Sequence, residues 1–293
     1  DVSSKGWATG YLGGGILLLV NLALFSAAED LGISTSIAVR ISLASAGLWW
    51  AGFTLFPLFT LKRRRAVTSV PKDENYFTFG FKKLYRTFKD AKNYPITLLF
   101  LAAYLLYNDG VQAVIVVASQ FGNEELGLDM STLTTVILMV QFVAFFGALL
   151  FNWLARNTNT KKALLISLVI WTGIIFYSYL YLKTEFDFYV LGAVIGLVLG
   201  GTQALSRSLF SLLIPKNKEA EYFSLYEISE RGTSWLGPFI FGLSLQFTGS
   251  YRIAIFSLGI FFIAGFILLM GTNVKKGILK VGNKVPKNLE KSV

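Results

Sequence analysis

One acidic residue lies deep within an apolar stretch of the sequence, and its surroundings suit it to chemistry. Asp109 is flanked by Asn108 and Gly110, and Gln112 follows closely. A charge in hydrocarbon costs roughly 3 kcal/mol or more, so such residues usually face a cavity and a partner. The functional interpretation is a proton-titrating carboxylate beside groups that hydrogen-bond a solute. The structural alternative is a protonated or hydrogen-bonded Asp109 that caps a local helix break at Gly110.

Two residues on other apolar stretches could act with this carboxylate. Arg40 could pair with Asp109 across the molecule and hold a closed state, or it could snorkel to the outer membrane interface. Gln203 could hydrogen-bond cargo, or it could join neighbouring helices. Both alternatives stay open from the sequence for each residue.

A second group of charges is predicted near the cytoplasmic ends of two later helices. Its members are Arg207, Glu221, Glu227, Glu230 and Arg231. Glu227 and Arg231 are four residues apart and can pair on one helix face. Arg207 could then meet Glu221 or Glu230 on the next helix. The group is interpreted as an inner gate whose ion pairs break during transport, or as a static network that stabilises the bundle.

Several glycines have predicted structural roles. Gly237 and Pro238 predict a kink, which could serve as a hinge together with Gly110. Two repeats of glycine at every fourth residue predict close approach of neighbouring helix backbones. These repeats are Gly6, Gly10 and Gly14, and Gly192, Gly196 and Gly200.

Absent residue types limit the chemistry further. The sequence has no Cys and no His, which excludes disulfides, thiolate nucleophiles, the usual zinc and haem sites and histidine proton relays. No Gly-Lys-Ser/Thr follows the glycine repeats, so a P-loop is not supported. An intramembrane aspartyl protease needs two facing aspartates, and only Asp109 is deep. We therefore predict neither an enzyme nor a cofactor or metal site.

Composition predicts an all-α, polytopic membrane protein. Of 293 residues, 54% are apolar and 15% charged, whereas soluble domains have roughly 25% charged residues. A spanning helix needs roughly 20 predominantly apolar residues. Eight stretches meet that length: Trp7–Ala28, Thr35–Leu61, Pro95–Ser119, Leu133–Leu154, Ala163–Leu182, Phe186–Ile214, Tyr222–Phe247 and Ile253–Met270.

The distribution of Lys and Arg predicts which side each connector occupies. Alternate connectors place nearly all of these residues on one face, and the opposite face carries only Lys183 and Arg252. The positive-inside rule therefore puts both chain ends in the cytoplasm. The net charge of +10 follows this alternation, so it does not indicate a nucleic-acid surface.

The chain is predicted to have four segments. Residues 1–61 carry two helices, 62–94 form a basic cytoplasmic connector, 95–272 carry six helices, and 273–293 form a basic cytoplasmic tail. Six helices are half of a common transporter architecture. We therefore expect the fifth to twelfth helices of a twelve-helix protein, whose first four helices are missing here and are needed for a complete transporter.

The connector contains an amphipathic pattern. Apolar residues at helical spacing alternate with Lys and Arg around the other face. The apolar residues are Phe77, Phe81, Leu84, Tyr85 and Phe88. This pattern predicts a helix on the inner membrane surface, attracted to anionic lipid, or else a regulatory or partner-binding segment.

Several motifs resemble one transporter family. They are Leu105–Gln112 (LLYNDGVQ), Gly201–Phe210 (GTQALSRSLF), Leu213–Pro215, Lys218–Phe223, Leu225–Glu227 and Thr233–Pro238. They resemble the family of the fungal autophagy-related vacuolar amino-acid permease and its bacterial relatives, within the major facilitator superfamily. The likeness extends to Phe262 and is most specific over residues 201–242. Residues 147–162 resemble the superfamily's basic inner loop without its usual acidic member.

The resemblance implies a twelve-helix transporter that works by alternating access, with amino-acid efflux as its activity. We accordingly expect a secondary active transporter of small solutes, proton-linked through Asp109. A channel, which would carry ohmic current, and a receptor or scaffold, which would bind without solute flux, remain alternatives. The expected location is the bacterial plasma membrane, or the vacuolar membrane if the chain is fungal.

Overall fold

The computed structural model describes residues 2–62, 75–286 and 289, and within these ranges the regular structure is entirely helical. The helices are α1 (Val2–Ser26), α2 (Thr35–Thr60), α3 (Tyr76–Ala91), α4 (Pro95–Glu124), α5 (Met130–Asn157), α6 (Thr160–Leu180), α7 (Glu185–Leu212), α8 (Glu219–Glu227), a π-helical turn (Ile228–Gly232), α9 (Leu236–Thr248), α10 (Tyr251–Ser257), α11 (Gly259–Gly271) and α12 (Val274–Lys280). The all-α prediction is confirmed for these residues.

Seven helical segments of the described chain are long and apolar enough to cross a membrane. They are α1, α2, α4, α5, α6, α7 and the continuous stretch Tyr251–Gly271 formed by α10 and α11. Each coincides with one of the eight stretches expected from hydropathy, and the ends differ by a few residues. The eighth expected stretch, 222–247, is not among them because it does not form one continuous helix, and the count of eight stays a prediction.

The stretch 222–247 is divided into α8, the π-helical turn and α9. Pro238 has no N–H to donate to the Ser234 carbonyl, and its ring would clash with that carbonyl in a continuous helix. Within the break, the Ser234 side chain is held by its hydroxyl, which donates to the Arg231 carbonyl at 3.0 Å. The kink expected at Gly237 and Pro238 is therefore a chain break over residues 233–235, just before that pair.

Side-chain caps define the ends of three long helices. Asp129 accepts from the Thr132 N–H at the start of α5 at 2.7 Å, and Asn159 accepts from the Lys162 N–H at the start of α6. Thr184 and Asp187 form a reciprocal capping box at the start of α7. Such caps satisfy backbone donors that the first helical turn leaves unpaired.

Helices α4 to α12 pack around a shared core that includes the fully buried Trp171 and Phe262. Arg252, at the start of α10, joins three helix ends: its Nε donates to Glu125 at 2.6 Å and its Nη2 donates to the Leu182 carbonyl at 2.7 Å. Helix α1 packs on α5 and α7, whereas α2 packs on α1 and buries only Ala38.

The predicted connector and tail are described only in part. Residues 63–74 of the connector, the Phe77 side chain, and residues 287, 288 and 290–293 of the tail lie outside the described residues. The amphipathic pattern of the connector forms α3, which packs against α8 and the start of α4.

Candidate functional site

Asp109 lies halfway along α4, at the centre of the packed helices. Its side chain is fully buried, and neither carboxylate oxygen has a hydrogen-bond partner. The Thr233 side chain, in the break before α9, lies next to this carboxyl group. Burial without a cation or donor penalises the charged form of a carboxylate. Asp109 is therefore at a position where an ionised carboxylate has little stabilisation from the protein.

Helix α4 is continuous through Gly110, which excludes the expectation that Asp109 caps a break there. Gly110 instead permits close packing, since a Cβ at this residue would lie 3.1 Å from the Phe261 Cβ. Gly237 does the same for α9, because a Cβ there would lie 2.8 Å from the Asp109 carbonyl oxygen. The break in this region belongs to the chain between the π-helical turn and α9.

Asn108 ties α4 to the π-helical turn. Its Nδ2 donates to the Glu230 backbone carbonyl at 3.0 Å, and the side chain is almost fully buried. The Glu230 side chain also turns inward, and its Oε2 is buried without a hydrogen-bond partner. Asn108 and Asp109 of α4 thus lie beside Glu230 of the π-helical turn, and we call these three residues the polar centre.

A stack of tyrosines borders this polar centre on the side of the α4 N-terminus. The Tyr104 and Tyr226 rings stack with centroids 4.2 Å apart, and Tyr226 stacks on Phe210 at 5.0 Å. The Tyr107 hydroxyl lies 2.7 Å from the Ser206 hydroxyl. Sequence reasoning did not single out these tyrosines. The available signal was the spacing of Tyr104, Tyr107 and Asn108 on one face of a helix.

Gln203 faces α1 and not Asp109. Its Oε1 accepts a hydrogen bond from the Tyr11 hydroxyl of α1. Next to this contact is an open cavity of about 570 Å³, which Gly10 and Tyr11 of α1 share with Gln141 of α5 and Arg207 of α7. Tyr11 and Gln141 were not predicted, because the residues that surround them in the structure lie on distant segments of the chain.

The Glu227 and Arg231 pair is present, and it is joined by Arg207. Arg231 Nε lies 3.3 Å from Glu227 Oε2, and Arg207 Nη1 lies 3.5 Å from Glu227 Oε1. The Arg207 guanidinium also lies over the Phe223 ring at 4.9 Å. Arg207 therefore meets neither Glu221 nor Glu230, the partners that the sequence suggested. All three charges are about two-fifths or more exposed, so the pairs contribute little stability and can open at low cost.

Glu221 belongs to a separate ion-pair cluster, which we call the α3–α8 latch. Its members are Lys83, Thr87 and Asp90 of α3, with Lys218, Glu221 and Tyr222 at the start of α8. Lys83 Nζ lies 3.1 Å from Glu221 and Lys218 Nζ lies 2.7 Å from Asp90. The Tyr222 hydroxyl donates to Asp90 at 2.9 Å. The latch thus fastens the connector helix to the first half of the interrupted helix.

Both charges at the centre of the latch persist over a wide pH range. Burial acts to raise the pKa of Asp90, but hydrogen bonds from Lys218 and Tyr222 outweigh it and hold this pKa below its usual 3.8. The hydrogen bond to Asp90 raises the pKa of Lys218 above its usual 10.5. The Asp90 contribution is lost only as the pH falls through its lowered pKa, and the Lys218 contribution only as the pH rises through its raised pKa.

Two predicted residues are not part of the polar centre. Arg40 is exposed on α2, and no ion pair joins it to Asp109. Gln112 is half-buried, one turn beyond Asn108 on α4, and its side chain makes no hydrogen bond to the described residues. Of the five proposed substrate and coupling residues, the structure therefore brings together Asn108 and Asp109.

Comparison with family models matches residues 1–282 to the family described as vacuole effluxer Atg22 like. The uncharacterized MFS-type transporter YxiO of Bacillus subtilis is 33% identical over 270 residues, which are 92% of this chain and 62% of the relative. Autophagy-related protein 22 of Kluyveromyces lactis is 28% identical over 294 residues, covering 94% of this chain and 58% of the relative. Autophagy-related protein 22-1 of Aspergillus niger is 29% identical, with 94% and 47% covered. The chain thus spans about half to three fifths of the length of these relatives.

Proposed function

The chain belongs to the family of Atg22-like vacuole effluxers, and on this premise we propose that it is a secondary active transporter that exports amino acids by proton-linked alternating access. The observation that carries the proposal is Asp109, a fully buried carboxylate without a hydrogen-bond partner at the middle of a spanning helix. A group that costs so much in hydrocarbon is retained where it serves transport.

The interrupted helix beside Asp109 supports alternating access. A π-helical turn and a break occupy residues 228–235, and Asn108 holds the turn through one hydrogen bond. Such a segment can change its backbone angles more easily than a continuous helix can. In this proposal, proton binding at Asp109 alters its contact with Thr233 and so changes the angle between α8 and α9.

The proposed inner gate is the group of Arg207, Glu227 and Arg231, because Arg207 of α7 and Arg231 of the π-helical turn both pair with Glu227 at the end of α8. Glu230 contributes a buried carboxylate near the polar centre and not an ion pair of the gate. The amide and hydroxyl groups of Gln141, Gln203 and Tyr11 are the proposed hydrogen-bonding groups for a zwitterionic solute.

We place the protein in a bacterial plasma membrane, with both ends of this chain in the cytoplasm, which requires the interrupted stretch 222–247 to cross the membrane as an eighth span. This side is proposed from the distribution of Lys and Arg among the connectors.

Asp109→Asn tests the proposal. The complete transporter that contains this chain is reconstituted in liposomes together with its variants, and uptake of labelled amino acids is measured with and without a pH gradient. We expect Asp109→Asn to abolish pH-driven uptake and to keep exchange of amino acids at equal pH, since the amide can stay neutral but cannot carry a proton. Glu124→Gln, which neutralises an exposed carboxylate at the end of α4, is the matched control.

Each outcome of the uptake experiment tests a different part of the proposal. Unchanged pH-driven uptake in Asp109→Asn removes Asp109 from the coupling mechanism. If the parent protein carries other solutes and no amino acid, the cargo proposal is wrong and the transporter proposal stands. Ohmic current through the parent protein would show a channel instead.

The gate has its own test. In this cysteine-free chain, a single cysteine placed near Gly10 reports exposure of the cavity to a water-soluble thiol reagent. We expect Glu227→Gln to change the rate of labelling, because it removes the partner of both Arg207 and Arg231. Equal labelling rates in parent and variant would show that these ion pairs do not control access.

A further inference from the structure

Helix α3 has two sides that differ in their contacts. The inner side is held by the protein: Lys83 and Asp90 pair with α8, Thr87 is buried, and Ala91 is fully buried in the core. These contacts fix the helix against the bundle and determine which residues point away from it.

The outer side carries an apolar strip next to a basic strip. Phe81, Tyr85 and Phe88 are 72%, 70% and 51% exposed. With 3.6 residues per turn, these three lie within about 60° of one another around the helix. Lys82, Arg86 and Lys89 occupy the neighbouring arc of about 60°. We call the two strips together the α3 outer face.

The position of α3 limits what this face can meet. Helix α3 ends at Ala91 and the spanning helix α4 begins at Pro95. Four peptide steps reach at most about 14 Å, so the end of α3 stays close to the membrane surface. A helix there with an apolar strip beside a basic strip has the pattern of a helix that lies in the interface between headgroups and acyl chains.

The charge of the α3 outer face indicates which kind of surface it can bind. The outer face carries three basic residues and no acidic one, since Asp90 is turned inward and paired with Lys218. A surface of anionic headgroups complements this charge, and the neighbouring acyl chains complement Phe81, Tyr85 and Phe88.

We propose that the α3 outer face docks on an anionic lipid surface and, through the α3–α8 latch, anchors the first half of the interrupted helix to that surface. Apolar side chains enter the acyl boundary while Arg86 and Lys89 contact headgroup phosphates. The inner side of the same helix holds Lys218 and Glu221, which precede the π-helical turn by about three and two helical turns. Lipid charge thereby restrains the segment next to Asp109. The docking itself does not depend on the proposed transport activity.

The test measures docking directly. A single cysteine replaces the exposed Thr78, which lies between the two strips, and carries a polarity-sensitive fluorophore. The full chain is reconstituted in liposomes of phosphatidylcholine alone, or of equal parts phosphatidylcholine and phosphatidylglycerol. Quenching by acrylamide, a neutral quencher, reports whether the fluorophore is in water or in lipid. We expect strong protection only in the anionic liposomes.

Arg86→Gln with Lys89→Gln is expected to reduce the docking equilibrium about 25-fold, at about 1 kcal/mol for each cation near an anionic surface. The matched control is Lys216→Gln with Lys276→Gln, which removes two exposed charges outside α3. The control should keep full protection in anionic liposomes.

A measurement on the parent protein avoids variants that fold poorly. Raising the salt concentration screens charges on a surface, so protection in anionic liposomes should fall as salt increases. The proposal would be overturned by equal protection in the two kinds of liposome or by protection that does not change with salt concentration. It would also be overturned if the control variant lost as much protection as the α3 variant. None of these results bears on whether the chain transports amino acids.

Discussion

Two glycine repeats with the same spacing have opposite surroundings in this molecule. The repeat on α7 (Gly192, Gly196 and Gly200) packs directly against α5, and a Cβ at Gly196 would lie 2.9 Å from the Val143 Cβ. On α1, Gly6 and Gly10 have no atom within 4 Å of a Cβ position, and Gly14 approaches only the Gln141 side chain. The first repeat closes a helix seam, and the second borders an open cavity.

The difference teaches that small residues at every fourth position permit close approach without requiring it. On α7 the partner is α5, whose own Gly147 and Ala144 allow the two backbones to meet. On α1 the neighbours opposite the repeat include Gln141 and Arg207, which are large and polar, so the space stays open. The α7 repeat is therefore part of a closed helix contact, and the α1 repeat borders open space.

The largest expected loss of stability comes from a substitution that forces α5 and α7 apart at the seam. In Gly200→Val, the new Cβ overlaps the Ala144 carbonyl oxygen and lies 2.9 Å from the Ala148 nitrogen, so two backbones must separate. We expect a loss of about 3 kcal/mol or more in the free energy of unfolding, or failure to fold. Thermal unfolding in detergent, followed by tryptophan fluorescence, measures it.

Gly173→Val is the control for that change, because Gly173 is a helical glycine of α6 with open space around its Cβ position. If both variants lose the same stability, the seam is not what makes Gly200 necessary.

A pair of identical substitutions gives the next effect. Gly196→Ala should cost about 1 to 3 kcal/mol, because its Cβ also lies 3.0 Å from the Val140 carbonyl oxygen. Gly6→Ala should stabilise the protein by up to about 1 kcal/mol, because alanine restricts the unfolded chain and meets nothing in the folded one. Opposite signs in the two unfolding curves would support the comparison, and equal signs would contradict it.

The sequence predicted features that depend on neighbours along the chain. Apolar runs predicted eight membrane-length segments, of which seven form helices of that length, and the spacing of four residues predicted the pair of Glu227 and Arg231. These predictions rest on the helical repeat alone. The seam on α7 was predicted for the same reason, whereas no backbone of the described residues approaches Gly6 or Gly10 of the α1 repeat, whose surroundings depend on distant segments.

Features that depend on tertiary packing were missed. Tyr11 and Gln203 are 192 residues apart, and Glu221 pairs with Lys83 of the connector helix. A charge pattern cannot tell which of several nearby partners Arg207 will meet, since the answer depends on how α7 and α8 are rotated. The break before α9 was placed three residues late because a proline disrupts the turn that precedes it.

A smaller effect tests the polar edge of the cavity. Tyr11→Phe removes the hydroxyl that donates to Gln203 and leaves the ring in place. Hydrogen bonds between membrane helices contribute about 0.6 kcal/mol on average, so we expect a loss of that size in unfolding experiments. Tyr181→Phe, at a largely exposed ring, should change nothing measurable. A loss above about 2 kcal/mol would show that this contact stabilises the fold more than a membrane hydrogen bond normally does.

The smallest expected change in stability comes from Gly10→Val. This variant tests most directly whether the α1 repeat borders a cavity or closes a helix seam. The valine side chain enters open space beside Tyr11 and Arg207, so the free energy of unfolding should change by less than about 0.5 kcal/mol. The same side chain occupies volume that the proposed cargo needs, so amino-acid uptake into liposomes should fall severalfold. Gly173→Val serves again as the control and should keep normal uptake. Normal uptake in Gly10→Val would mean that solutes do not pass along α1, and a large loss of stability would mean that the α1 repeat closes a seam after all.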